Sequence, residues 1–450
     1  MIGVSALGGR TVLRPVGAFL VIWAVLAVVN FAIADGLGVE LGTPLRHFPI
    51  SVFWFHPNPD GLPFLAAFWS AGLYAVYRVP TNSGMLWLLG LVLIVTGNLI
   101  QGDPTTAFLS PLQRSGPEFG TSYLHTALSI SDPGEWLRSF TDEQVRQGTH
   151  GKTHPPFAVL LHYVLHRAGT VHLAAAFFVA LASCLSPLFF RLLGKAAVRP
   201  PIASGLCVLF LLAPAVNIYS AVSLDAVIAL FMTLTLYGML SIVQGERGWP
   251  AFSCFYGGIL GTSLLTFAVL FLFAVTGLVA LGLVMRRREW TLTVMLLSAV
   301  VGCSAFYFMI DLATGYNHLT AFLQASRFEN PHGFWLRHQP VVYLATRVEN
   351  VWEIAVFASA GTATAGLAAL RESGALRDAK RIIAWSGITV LLAMFMAGAF
   401  RTGETARACL FIYPYLFLPL AGLDETRIRQ LSLIALAQTG LMQVLAYYFW

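Results

Sequence analysis

The chain has 450 residues, of which 57% are hydrophobic and 11% are charged, and its mean hydropathy is +0.73. Soluble domains carry charge on about a quarter of their residues, so this composition excludes a soluble domain and indicates a polytopic membrane protein. The net charge of +6 does not point to nucleic acid, because it is largely the orientation signal of basic residues in short cytoplasmic connections between apolar segments.

The first apolar segment, residues 16–34, is long enough to cross a bilayer and lacks the small-residue pattern of a signal-peptide cleavage site. The run 250–285 is too long for one crossing and needs a tight turn near 261–266. We therefore predict an all-α polytopic membrane protein with about thirteen transmembrane helices. The predicted spans are residues 16–34, 62–79, 84–101, 171–193, 202–221, 225–243, 250–266, 268–285, 291–310, 348–369, 382–400, 407–422 and 431–449.

Lysine and arginine are distributed as the positive-inside rule requires for this set of spans. With the N-terminus in the cytoplasm, basic connections such as 286–288 fall on the cytoplasmic side and the long loops fall outside. We predict a single transmembrane domain over 1–450, an external loop with juxtamembrane helices at 102–170, and a second external loop at 311–347. The Ala/Gly/Leu-rich helices favour a bacterial plasma membrane, with the functional site on its external or periplasmic face.

Two carboxylates in the loop 102–170 are candidates for a reactive base. Asp103 directly follows a predicted span, and Glu118 lies within Gly-Pro-Glu-Phe-Gly. A carboxylate at the membrane boundary can accept a proton from a substrate. It can also be a solvated helix end or, for Glu118, a residue of the loop surface, and the residues alone leave these alternatives open.

The segment 132–147 predicts a helix that lies in the membrane interface. It places Trp136, Leu137 and Phe140 on one helical face, with charges elsewhere. Such a helix would cover a cavity at the membrane surface.

Histidine, lysine and proline residues follow this segment. The prolines after His154 predict the start of a helix over 157–166, which is too short to span the bilayer. His150, Lys152 and His154 lie at its start, where cationic or hydrogen-bonding groups can hold a phosphate. The alternative is that they are snorkelling residues at a membrane boundary.

Two further aspartates stand at helix ends. Asp225 opens a helix after Ser223, so its carboxylate is either a site residue or a group that satisfies free backbone N–H groups beside the cap. Asp311 ends another predicted span and is a second candidate on the same side.

The segment 401–407 carries two arginines and a glutamate where a helix re-enters the membrane. Ionisable groups at that depth are costly unless they are paired or face a wet cavity, so Glu404 and Arg407, with Arg401, are predicted to belong to a site. A purely structural pair between Glu404 and Arg407, three residues apart on one helical face, is the alternative.

This arrangement resembles the GT-C superfamily of membrane glycosyltransferases, such as the aminoarabinose and protein O-mannosyltransferases. The resemblance covers residues 85–245, through Asp103, the loop, the His-Pro-Pro sequence 154–156 and Asp225. The sequence Gly-Glu-Thr-Ala-Arg at 403–407 is also similar to a Gly-Glu-x-x-Arg element of uncharacterised bacterial membrane proteins of this kind. The resemblance implies a GT-C-like fold and sugar transfer from a polyprenyl-phosphate carrier on the external face.

The resemblance also implies roles for the candidate residues. Asp103, with Glu118 in reserve, would accept the proton of an acceptor hydroxyl on a lipid, glycan or protein, and the product would be inverted. Some members use a divalent cation such as Mg²⁺ or Mn²⁺, but this sequence has no metal-ligand spacing, so the metal and its ligands stay unknown. The predicted ligands of the departing phosphate are Arg407, Lys152, His150, His154 and Arg401.

Two other classes of membrane protein compete with this interpretation. A transporter or lipid flippase also has many helices and intramembrane polar residues, but its sites lie near the bilayer midplane at broken helices and often within internal repeats. The ionisable residues of this chain instead gather at one predicted face. A lipid-linked glycan ligase shares the one-sided arrangement, and only its substrate would distinguish it.

Overall fold

The computed structural model describes residues 13–38, 41–42, 48–51, 54–102, 104–113, 119–196, 198–371, 379–400 and 403–448. Within these ranges the fold consists of twenty-two α-helices, a few short 3₁₀ and π-helical turns and two strands of two residues each. The predicted all-α class is therefore confirmed.

The α-helices follow one another closely along the chain. They are α1 Leu13–Leu37, α2 Leu62–Tyr77, α3 Ser83–Leu99, α4 Tyr123–Leu128, α5 Pro133–Glu143, α6 Thr149–Thr153, α7 Pro156–Ala168, α8 Val171–Ser183, α9 Leu185–Lys195, α10 Pro200–Leu212, α11 Pro214–Ile218, α12 Leu224–Val243, α13 Trp249–Leu265, α14 Val269–Arg287, α15 Thr291–Thr314, α16 His318–Glu329, α17 Pro340–Phe357, α18 Ala360–Arg371, α19 Ala379–Met396, α20 Thr405–Ala408, α21 Tyr413–Phe417 and α22 Glu425–Leu445.

The remaining regular elements are short. Strands β1 (Trp54–Phe55) and β2 (Ala446–Tyr447) pair antiparallel, with Trp54 opposite Tyr447. A π-helical turn covers Thr105–Leu109. The 3₁₀ turns are Pro59–Gly61, Ser110–Leu112, Phe119–Thr121, Gln144–Arg146, Trp335–Arg337, Leu410–Ile412 and Leu418–Gly422.

The chain divides into two compact units. The first unit takes its described residues from Met1–Gly102, Ala182–Ala221 and Phe334–Tyr448, and the second from Asp103–Leu181 and Val222–Gly333. Each unit is therefore built from segments that are distant in the sequence.

Among the described residues, five helical segments are long and apolar enough to cross a membrane, and the bent pair α17–α18 counts as a sixth if it is one span. All thirteen predicted segments contain helix, but several are too short, too polar or interrupted, so thirteen crossings are not confirmed. The run 250–285 is broken as predicted, but the break lies at 266–268, slightly after the predicted turn at 261–266, because α13 continues to Leu265 and α14 begins at Val269. The five segments are Arg14–Leu37, Val171–Lys195, Leu224–Val243, Val269–Arg287 and Thr291–Thr314.

The predicted span 348–369 differs most from the structure. Its residues belong to two helices, α17 and α18, which meet at an angle of 105°. Ser359 has a left-handed backbone, with φ +75°, and its hydroxyl accepts the N–H of Thr362. Gln438 joins the two sides of the break, since its Nε2 donates to Val356 O and its Oε1 accepts the N–H of Ala360. The bend is thus held by hydrogen bonds that replace those a continuous helix would make.

A buried amide network occupies the first unit. Asn217 Nδ2 donates to Leu93 O at 2.9 Å, and Gln443 Nε2 donates to Asn217 Oδ1 at 2.8 Å. Gln101 donates in turn to Gln443 Oε1. These groups are buried, so each bond spares the core the cost of an unpaired polar atom.

A cluster of packed rings lies in the second unit. Leu137 and Phe140 of α5 are buried in a cluster with Tyr307, Tyr316 and Ala321. The amphipathic helix predicted over 132–147 is therefore present, and its apolar face is covered by protein. Sequence alone could not distinguish a face buried in protein from one buried in lipid, because both need the same residues.

Candidate functional site

The predicted site residues are distributed over both units. Asp103, Glu118 and Arg401 lie outside the described residues, so their predicted roles stay predictions. Glu404 and Arg407 belong to the first unit. The candidates in the second unit are His150, Lys152, His154, Asp225 and Asp311.

Glu404 and Arg407 form the ion pair that their spacing predicts. Arg407 Nη2 contacts Glu404 Oε2, and the side chain of Arg407 is 12% exposed while that of Glu404 is 45% exposed. The arginine is thus held largely out of water, and its partner is at the edge of solvent. Removing a cation from water strengthens its attraction for an anion, so burial of Arg407 favours its pairing with Glu404.

The backbone that carries the pair has an unusual conformation. Gly403 has φ +81° and Glu404 has φ +55°, which is the left-handed region that residues with a side chain rarely adopt. Such conformations persist only where neighbouring contacts hold them, and they are frequent at functional sites.

Glu353 of α17 supplies contacts to this turn, together with Ser51. Glu353 Oε2 accepts the backbone N–H of Thr405 at 3.0 Å and its hydroxyl at 3.1 Å. Ser51 Oγ donates to Glu353 Oε1 at 2.9 Å and accepts the N–H of Glu404 at 2.7 Å. Two consecutive backbone N–H groups of the turn are therefore linked to one buried carboxylate. The N–H of Thr405 binds it directly, and the N–H of Glu404 is linked to it through the hydroxyl of Ser51.

The sequence analysis missed the polar face of α17. Arg347, Glu349, Asn350 and Glu353 are all buried in the structure. The available signal was the presence of four polar or charged residues within seven positions of a predicted helix start. Ionisable residues in an apolar helix mark functional or structural sites, and this cluster should have been named with Glu404 and Arg407.

Arg347 has a structural role. Its Nη1 donates to the carbonyls of Phe395 and Ala399 at 2.6 and 2.7 Å, and its Nη2 donates to Phe400 O at 2.9 Å. Phe395 belongs to the last turn of α19, and Ala399 and Phe400 follow that turn, so all three carbonyls lie where helix groups lack intrahelical partners. The guanidinium therefore closes the C-terminal end of α19 and holds the connection towards Gly403.

In the second unit, three histidines surround the ring of Tyr123. The ring centroids of His150, His154 and His162 lie 5.4, 5.4 and 5.0 Å from that of Tyr123. His162 Nδ1 donates to Ala158 O at 2.9 Å, and burial lowers the pKa of this histidine from 6.5 to about 4. His162 is therefore neutral at physiological pH and serves as a packed ring.

Lys152 lies in the short helix α6, before the Pro-Pro start of α7. Its Nζ is 5.6 Å from the ring centroid of Phe328, and its carbonyl accepts a hydrogen bond from Gln144 Nε2 at 2.8 Å. The same amide donates to Ala321 O at 3.1 Å. The predicted short helix after 154 is confirmed as α7, and Lys152 is half-buried beside it.

The two aspartates at helix ends make local contacts. Ser223 caps α12, since its hydroxyl accepts the N–H of Asp225 at 3.1 Å. Asp225 therefore stands in the first turn of that helix, where a carboxylate interacts favourably with the helix dipole. Asp311 accepts a hydrogen bond from Asn317 Nδ2 at 2.9 Å, so its carboxylate orders the connection between α15 and α16.

The described residues offer no metal centre. Among them, no three His, Cys, Asp or Glu side chains stand close enough together to hold a metal ion.

Comparisons with known proteins give no relative for this chain. No protein-family model, no curated protein and no solved structure matches it. The function must therefore be argued from the residues of the two units.

Proposed function

We propose that the protein is an integral membrane glycosyltransferase that moves a sugar from a polyprenyl-phosphate donor to a lipid, glycan or protein acceptor. The observation that carries this proposal is the Glu404–Arg407 pair, with a largely buried arginine on a left-handed turn. A leaving phosphate gains negative charge as the glycosidic bond breaks, and a fixed, desolvated cation stabilises that charge without reorganisation. The resemblance to GT-C enzymes supports the same reaction.

In the proposed reaction, the acceptor oxygen attacks the anomeric carbon and the bond from that carbon to the phosphate oxygen breaks. The bonding electrons leave with the phosphate, whose charge Arg407 stabilises. Asp103 takes the proton of the acceptor hydroxyl, with Glu118 as the second candidate. The product has the inverted configuration. Arg401 is a further candidate for phosphate binding, and Lys152, His150 and His154, which belong to the second unit, stay separate predictions.

The proposal includes an orientation in the plasma membrane. The N-terminus would be cytoplasmic and the reaction would occur on the external or periplasmic face, as the distribution of basic residues predicts. About thirteen crossings would require several helices shorter than a full span to cross as tilted or re-entrant segments.

A transporter or flippase is the second candidate, and one observation favours it. The pair α17–α18 is bent by 105°, and α17 carries the buried residues Arg347, Glu349 and Glu353. Broken helices with buried ionisable groups are typical of transporter binding sites. The hydrogen bonds of Gln438 across the bend and of Arg347 to carbonyls account for part of this polarity as structure.

The test is sugar transfer by protein in nanodiscs, with radiolabelled polyprenyl-phosphate sugars as donors and membrane lipid extract as acceptor. Arg407→Ala should lower the transfer rate by about a hundredfold, the usual effect of removing one charge-stabilising group. Arg427→Ala is the matched control, since Arg427 pairs with Asp424 at the same i,i+3 spacing. Equal rates for both variants would reject the role of Arg407, and lipid movement across proteoliposomes without any donor consumption would favour the transporter.

A further inference from the structure

The buried carboxylate of Glu353 is hydrogen-bonded to the turn that carries the Glu404–Arg407 pair. Glu353 is fully buried, at 0% exposure, and three hydrogen bonds from Ser51 and Thr405 end on its two oxygens. A carboxylate is costly to bury, and that cost is reduced when donors point at both oxygens. The donors here come from two chain segments far from α17 in the sequence.

These bonds fix the backbone at the point where it is strained. The N–H of Thr405 binds Glu353 directly, and the N–H of Glu404 binds Ser51 Oγ, whose own proton goes to Glu353. Thr405 Oγ1 also lies 2.9 Å from Asn350 O, so the threonine side chain faces α17. The left-handed conformation of Glu404 is thus held by contacts on both consecutive amides.

We propose that Glu353 is the positioning residue of the Glu404–Arg407 pair: it holds the turn 403–405 so that the paired side chains keep one orientation. What the pair binds rests on the proposed function, whereas the positioning itself does not. Glu353 holds this turn through Ser51 and through the backbone of Thr405.

Two substitutions separate positioning from charge. Glu353→Gln keeps one acceptor oxygen for Thr405, and its amide nitrogen can donate to Ser51 Oγ, so the turn keeps its contacts. Glu353→Ala removes both oxygens. We expect Glu353→Ala to raise hydrogen exchange of the amides at 404 and 405 by about tenfold or more, because the acceptor of Thr405 N–H and the partner of Ser51 are both lost, and Glu353→Gln to change it by less than about threefold.

The outcomes decide the proposal in both directions. Unchanged hydrogen exchange at 404 and 405 in Glu353→Ala would overturn the positioning role. An increase in Glu353→Gln as large as that in Glu353→Ala would also overturn it, because the charge of residue 353 would then matter and its hydrogen-bond geometry would not. If Glu353→Ala does not fold, Ser51→Ala replaces it and should raise exchange at Glu404. Ser432→Ala is its control, because that buried hydroxyl donates only to Ile428 O of its own helix.

A binding measurement links the positioning to the proposed function. Undecaprenyl phosphate is titrated into nanodiscs that hold wild type or variants, and we expect Glu353→Ala to weaken its affinity about tenfold and Glu353→Gln to preserve it within about threefold. If exchange follows the prediction but wild type does not bind undecaprenyl phosphate, the proposed function fails and the positioning role stands. If wild type binds and Glu353→Ala binds equally well, the positioning role fails for the ligand site.

Discussion

The two units of the molecule hold their polar residues by different means. In the first unit, hydrogen bonds connect buried groups in series, as from Gln443 to Asn217 or from Arg347 to the end of α19. In the second unit, the polar rings stack, as His162 does on Tyr123. Hydrogen bonds weaken steeply with distance and angle, whereas ring contacts accept several geometries. The first unit is therefore better suited to fixing the position of a charge, and the second to filling volume around neutral rings.

The largest expected effect comes from adding one methyl group beside the buried amide network of the first unit. Gly97 of α3 faces Asn217, and an added Cβ would overlap Asn217 Oδ1, the atom that accepts the bond from Gln443. Asn217 cannot turn away without losing its bond to Leu93 O. We expect Gly97→Ala to lower the free energy of unfolding by about 3 kcal/mol through overpacking and the lost hydrogen bonds. Thermal unfolding in detergent measures this loss of stability.

The control for this variant is another helical glycine of the same unit. Gly194 lies in α9, and an added Cβ there meets no atom within 4 Å. Gly194→Ala should therefore leave stability unchanged or raise it by about 0.5 kcal/mol, because alanine is the better helix former. Similar losses in both variants would show that the network at Gly97 is not specifically constrained.

The local features of this fold could be predicted from the sequence, because short spacings determine them. The pair Glu404–Arg407 follows from a separation of three residues, and the start of α12 follows from Ser223. The contact between Ser51 and Glu353 joins residues 302 positions apart, so no local pattern contains it. The same limit explains why the bend after α17 was missed, since Gln438 from a distant helix supports it.

The prediction of intermediate size tests whether the rings packed around Tyr123 require a neutral His162. The unfolded chain protonates His162 with its ordinary pKa of 6.5, whereas the folded protein holds that pKa at about 4. The unfolded state therefore binds more protons below about pH 6.5, and the free energy of unfolding falls as the pH is lowered towards 4. From about pH 7 to about pH 5 the loss from this histidine should be about 2 kcal/mol.

This pH dependence has a matched control on the same helix. Thermal unfolding at both pH values is compared for wild type, His162→Phe and His166→Phe, where His166 is exposed on α7. His162→Phe should remove about 2 kcal/mol of the pH dependence, and His166→Phe should leave it in place. Identical pH profiles for wild type and His162→Phe would mean that His162 does not stay neutral in the folded protein.

The smallest expected effect concerns the ring at the centre of the histidine cluster. Tyr123→Leu keeps an apolar side chain but removes the face on which His150 and His162 pack, so we expect a loss of about 1 kcal/mol in unfolding free energy. Tyr123→Phe keeps the ring and separates stacking from the hydroxyl group. If Tyr123→Leu lowers the free energy of unfolding as much as Gly97→Ala does, the second unit is as geometrically constrained as the first. The second unit would then be equally suited to holding the groups of a functional site in fixed positions.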